Sequence, residues 1–93
     1  MKYKITVEEI LGENKFSEEK LEFEAESHDS IFTIVEKLKQ NPDFNDNDAA
    51  SLGVGLKLFS GVMLKKKSNP IFKKVMPHFK DFMKGLKSNG KGK

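Results

Sequence analysis

The chain opens with two stretches of strict alternation. From Lys2 to Glu9, Tyr3, Ile5 and Val7 fall on one side and Lys2, Lys4, Thr6 and Glu8 on the other. From Lys20 to Glu26, Leu21, Phe23 and Ala25 alternate with Lys20, Glu22, Glu24 and Glu26. A two-residue period with one apolar face marks a half-buried strand. Gly12-Glu13-Asn14-Lys15 between them is turn-like, so the pattern predicts an antiparallel hairpin with a longish loop. Lysines and glutamates facing each other across its wet face would pair. Such a hairpin is marginal alone and needs cover on its apolar side.

The period then lengthens. Ser27, Asp29 or Ser30 can cap a helix whose apolar stripe is Ile31, Ile34, Val35 and Leu38, and Asn41-Pro42 ends it, because the residue before a proline avoids the helical region. Asn41 to Asn47 reads as a polar loop anchored by Phe44.

Asn45 to Lys67 supports two readings. As a helix, Ala49, Leu52, Leu56, Phe59 and Met63 form one stripe, with Val54, Leu58 and Val62 on a second flank, so the helix would sit between two neighbours. Gly53, Gly55, Ser60 and Gly61 would let those neighbours approach closely. As strands, Leu52, Val54, Leu56, Leu58, Val62 and Leu64 also obey a two-residue period, with Ser60-Gly61 as a hairpin turn. Interior glycines disfavour the helix by roughly 1 kcal/mol each. The ends favour it, with Asn45 as a cap, Asp46 and Asp48 in the first turn, and Lys65, Lys66 and Lys67 in the last. The helix is the expected form and the hairpin its rival.

Ser68-Asn69-Pro70 restarts a helix, with proline at its first position. Ile71, Phe72, Val75, Met76, Phe79, Phe82, Met83 and Leu86 then keep helical phase through Pro77, which should kink the helix or split it. The expected fold is α+β: an N-terminal antiparallel β-hairpin followed by three helical segments packed on one face, the last kinked or split at Pro77. One domain would span residues 1–87, with 88–93 as a flexible basic tail.

Composition narrows the functional classes. The 93 residues include no cysteine, which excludes disulfides and thiolate metal sites and fits a reducing compartment. The start MKYKITVEEI has no apolar signal-peptide core and no run approaches a membrane-spanning length, so a cytoplasmic protein is expected. Charge is segregated. Residues 1–56 hold six lysines against nine glutamates and four aspartates, a net of −7; residues 57–93 hold eleven lysines against Asp81 alone, a net of +10. The two halves would complement each other in the fold, or the second would offer a basic surface. Every basic residue is lysine. Without the arginine fork, base-specific readout of nucleic acid loses its commonest tool, while salt-sensitive attraction to a polyanion remains open.

The candidate chemical sites are better explained as structure. His28-Asp29 and His78 with Asp81 match no ligand spacing; His28 reads as a helix-start residue and His78 as a surface residue after a proline. Asp43 to Asp48 has alternate oxygen side chains, but a calcium loop beginning there would need glycine where Asp48 stands and glutamate where Val54 stands. Gly53-Val54-Gly55 lacks the third glycine and the Gly-Lys-Ser/Thr of phosphate loops, leaving close packing as its account. IFKKVMPHFKDFMKGLK is a basic amphipathic pattern of the kind that binds membranes or partner grooves, yet a chain this short needs its phenylalanines as core. No nucleophile–base pair can be nominated.

Three phrases carry a likeness: HDSIFTIVEKLKQ, GLKLFSGVMLKKKSNPIF and MPHFKDFMKGLK. Their most specific parts are His28-Asp29, Gly55 to Phe59, Val62-Met63-Leu64 and Pro77-His78-Phe79. With these the chain resembles a family of small bacterial proteins of about the same length, domain of unknown function 3861. The resemblance implies a bacterial, cytoplasmic protein and brings no activity, cofactor or catalytic residue with it.

The sequence therefore points to a non-enzymatic interaction or accessory module without a cofactor. Its candidate surface is Lys65, Lys66, Lys67, Lys73, Lys74, Lys80, Lys84 and Lys87, facing an acidic protein partner. Exposed hairpin edges or opposed charge patches could pair two copies into a homodimer. The alternative is nonspecific binding of nucleic acid or another polyanion through the same lysines.

Overall fold

A computed structural model describes residues 1–90, with the side chains of 1–86. The order is β1 (Lys2–Gly12), β2 (Lys15–Glu26), α1 (Ile31–Lys39), α2 (Asp46–Lys65) and α3 (Pro70–Gly90). The fold is α+β, an antiparallel hairpin followed by three helices, as the periodicities predict. Of the tail expected at 88–93, residues 88–90 belong to the last turn of α3, and residues 91–93 lie outside the described residues.

The hairpin is longer than its alternating segments. Tyr3 pairs with Ala25, Ile5 with Phe23 and Val7 with Leu21, which puts these six residues on one face. On the other face Lys2 opposes Glu26, Lys4 opposes Glu24 and Glu8 opposes Lys20. The expected long loop is instead a tight turn. Gly12 pairs with Lys15, and Asn14 adopts a left-handed φ of 57°, which asparagine tolerates better than most residues. Loop length was overestimated because the register slips: from Glu8–Lys20 to Ile10–Phe16, β2 spends two extra residues. Ser17 holds this bulge, its hydroxyl accepting from the Glu9 N–H at 3.1 Å and donating to the Glu19 carbonyl at 2.8 Å.

Ser30 caps α1 by accepting from the Thr33 N–H, and the Tyr3 hydroxyl accepts from the Ile31 N–H at 3.1 Å, tying β1 to the first turn. Asn41 is buried and accepts the Asp43 N–H at 2.9 Å, so its side chain builds the turn that ends the helix.

Residues 45–67 form the helix and not the second hairpin. Asn45 caps it, accepting from the Asp48 N–H at 2.8 Å, and Asp46 and Asp48 occupy the positive end of the helix dipole. The propensity penalty of its glycines is offset where one of them buries the α1–α2 contact. A Cβ on Gly53 would lie 2.9 Å from Val35 Cγ2 and 3.3 Å from Leu38 Cδ1. Gly61 similarly lets the helix approach the Glu26 carbonyl at the end of β2. Gly55 corrects the close-packing expectation, since nothing lies within 4 Å of where its Cβ would be.

Asn69 starts α3, its side chain accepting from the Ile71 N–H at 3.1 Å and its carbonyl from the Phe72 N–H at 3.0 Å. The helix runs unbroken through Pro77, so the split does not occur. The phase of the apolar residues explains this: both halves present one stripe to the same neighbour, and Phe59 of α2 packs edge-on against Phe72 and at a tilt against Phe79. The core is small. Ile31, Leu38, Ala49 and Met63 are its buried hydrophobics, and it lies between α1 and α2.

Candidate functional site

Two places gather chemistry. The first is a cleft of about 430 Å³ where the end of β2, the start of α1 and the C-terminal half of α2 meet. Gly61 sets how closely α2 can pass the strand end, and this brings Lys57 to Asp29. Lys57 Nζ donates to Asp29 Oδ2 at 2.8 Å, with the lysine side chain half-buried and the aspartate open to water. That hydrogen bond, together with the lysine's charge, holds the Asp29 carboxyl below its ordinary value; desolvation opposes the shift, and His28 and Lys37 add weakly to it. The Met1 amine donates to the Ser27 carbonyl at 3.0 Å on the same rim, and Lys65 and His28 complete it.

The cleft mixes both signs, Glu26 and Asp29 against Lys57, Lys65 and the amino group. Its best-placed ammonium is already committed to Asp29, so the arrangement acts as a brace between the chain's two halves. Neither His28 nor His78 donates to or accepts from a carboxylate among the described residues, and both are exposed. Among the described residues no three histidines, aspartates or glutamates stand together in a way that would hold a metal ion.

The second place is the lysine surface. Lys65 lies in the last turn of α2, Lys66 is the residue that closes that helix, and Lys67 follows in the connection. Lys73, Lys80 and Lys84 recur at helical spacing along one stripe of α3, and Lys74 stands one residue round. The side chain of Lys87 lies outside the described ones. Lys67 and Lys73 share a shallow hollow with Met76 and Pro77, while Lys65 lines the Asp29 cleft.

Among the described residues, one ion pair joins the acidic and basic halves expected to complement each other. Among the described residues the ion pairs are Lys20–Glu8, Lys39–Glu36 and Lys57–Asp29, and the last alone joins residues 1–56 to residues 57–93. Sequence reading missed that pair because no spacing rule couples residues 28 apart. The available signal was that both sit in the phrases HDSI and GLKLF, which carry the family likeness. It also missed how much of the hairpin's apolar face the helices leave open.

No helix among the described residues is long and apolar enough to cross a membrane. A search of the curated proteins returns no match. Among solved structures, a protein of unknown function from Pectobacterium atrosepticum is 36% identical and superposes with a TM-score of 0.82, covering 95% of this chain and 97% of that one. The sequence model of the family described as a domain of unknown function with a solved structure, DUF3861, matches residues 1–88. At that coverage the likeness is one of the whole chain, and the protein belongs to the DUF3861 family.

Proposed function

We propose that the protein is a small interaction module that works through protein–protein contact and carries out no reaction. The observation that carries this reading is the unspent charge of its C-terminal half. Lys66, Lys67, Lys73, Lys74, Lys80 and Lys84 are exposed and enter no ion pair among the described residues, and α3 also exposes the apolar side chains of Ile71 and Phe82. A run of unpaired lysines on one face of a helix suits a protein surface of opposite sign. Reversing Lys80 and Lys84 to glutamate and comparing capture of acidic proteins from a bacterial lysate at two salt concentrations tests it. Capture should survive moderate salt in the native chain and be lost in the variant.

Nonspecific binding of a polyanion is the second reading, favoured by the stripe Lys73, Lys80 and Lys84. It requires affinity that falls steeply and linearly on a log–log salt plot. A gel-shift without complex at low salt removes it.

A further inference from the structure

The outer edge of β1 is a row of backbone groups with a fixed phase. Met1 and Ser27 exchange both backbone hydrogen bonds at 3.0 Å, which sets the ladder. Hydrogen-bonded and non-hydrogen-bonded pairs alternate along antiparallel strands, so Tyr3, Ile5 and Val7 turn their backbone groups to β2. Lys2, Lys4, Thr6 and Glu8 turn theirs outward. The sheet has two strands, and among the described residues no further backbone hydrogen bond reaches these four. All four are exposed. An open row of this kind is a template for another strand.

The outer edge of β2 is not equivalent. Glu26 stands opposite Lys2 and so points its carbonyl away from β1, where α2 meets it: a Cβ on Gly61 would lie 3.3 Å from that oxygen. α2 thus stands where β1 of another copy would extend the sheet on that side. Farther out, the Ser17 bulge breaks the ladder. The regular stretch between them, Lys20 to Glu26, is centred on Phe23, and pairing it with itself would set Glu22 against Glu24 twice. Like charges directly opposite each other are destabilising.

β1 has the opposite property. Its regular stretch is Lys2 to Glu8, bounded by the register shift between Glu8 and Ile10. Two copies overlapping antiparallel along all of it meet about Ile5. Lys2 of each then opposes Glu8 of the other, Lys4 opposes Thr6, Tyr3 opposes Val7, and Ile5 opposes Ile5. Full overlap alone sets this register, and it matches apolar with apolar and lysine with glutamate. It also hydrogen-bonds the four residues whose backbone groups point outward, so ladder phase and side-chain pattern agree. A two-stranded ribbon is marginal by itself, whereas four strands with a shared apolar face are not.

We propose that the protein forms a two-fold dimer in which β1 of one copy pairs antiparallel with β1 of the other about Ile5, making one four-stranded sheet. This goes beyond the interaction reading above. It uses the hairpin edge and not the lysines of α3, so each can fail alone.

Cysteine cross-linking of the full-length chain tests it, because the native sequence has no cysteine and both chosen sites are exposed. Lys2→Cys and Glu8→Cys chains, mixed under mild oxidation, should give mainly a disulfide-linked heterodimer. Two Lys2→Cys chains should not link, since their cysteines would stand about 20 Å apart at opposite ends of the overlap. Light scattering should give twice the chain mass for the native protein. Thr6→Pro removes an N–H that the monomer's ladder does not use, so it should weaken the dimer by roughly tenfold or more while circular dichroism stays unchanged. The cross-link decides the pairing independently of how that variant folds. A single-chain mass at high concentration overturns the dimer and leaves the lysate-capture test of the interaction reading standing. Linking of Lys2→Cys with itself as readily as with Glu8→Cys, or a dimer that a folded Thr6→Pro chain keeps at full strength, overturns the pairing of β1 edges.

Discussion

Lys57 and Asp29 stand 28 residues apart in the chain and meet at 2.8 Å, as the one ion pair among the described residues that bridges its acidic and basic halves. A carboxyl whose pKa is lowered by folding adds stability above its unfolded value, and that contribution disappears as pH falls through the folded value. Asp29 is such a group, lowered from 3.8 by the Lys57 hydrogen bond. The stability gap between the native protein and Asp29→Asn is therefore expected at neutral pH and should close as pH drops below 3.8. Urea midpoints of both proteins across that range check it. A gap that stayed constant would assign the effect to something other than the pair.

Gly53 and Gly55 of α2 should respond to alanine in opposite directions. At Gly53 the added methyl meets Val35 Cγ2 at 2.9 Å, and a β-branched side chain pinned on a helix cannot swing away. Overpacking of about 1–3 kcal/mol should outweigh a helix-propensity gain of about 1 kcal/mol, so Gly53→Ala destabilises. Gly55 meets nothing, and Gly55→Ala should stabilise by about 0.5–1 kcal/mol. Denaturant unfolding of the two variants reads both signs.

Met63 is 2% exposed and is the largest side chain buried to that degree. Met63→Ala should cost about 2–5 kcal/mol, as truncation of a buried methionine leaves a cavity between packed helices. In a chain with so few buried hydrophobics that approaches the whole stability of a small domain. The thermal transition should broaden or vanish, which calorimetry would show.

Phe59 is the aromatic tie between α2 and α3, with ring centroids 6.2 Å from Phe72 and 5.6 Å from Phe79. Phe59→Ala removes both contacts, each worth about 0.5–1.5 kcal/mol beyond burial. Amide exchange should accelerate across α3 while α1 and the first half of α2 keep their protection. Uniform acceleration along the chain would show that α3 is not held by this ring.

The elements were legible because each rests on a local rule. Alternation marked the hairpin, Asn45 and Asn69 marked two helix starts, and Asn41-Pro42 marked one helix end. The 45–67 stretch was ambiguous in period, and what decides it is tertiary: Gly53 fits against Val35 only as part of a helix packed on α1. The length of the hairpin was hidden because a bulge breaks alternation at Ser17, where a hydroxyl takes over the ladder's hydrogen bonds. The Asp29–Lys57 brace and the uncovered stretch around Leu21 depend on how elements meet, and no periodicity reports that.

Pro77 gives α3 a mechanical property of its own. With no N–H at that residue, the Lys73 carbonyl receives no hydrogen bond from the position where the ladder would supply one. Bending there sacrifices no bond, whereas bending elsewhere along the 21-residue helix breaks at least one. A tilt of the half beyond Pro77 is limited by the Phe79 ring, which packs on Phe59 as Phe72 does. Pro77 therefore leaves α3 one place that bends at less cost than the rest, and the two rings on Phe59 set how far it goes.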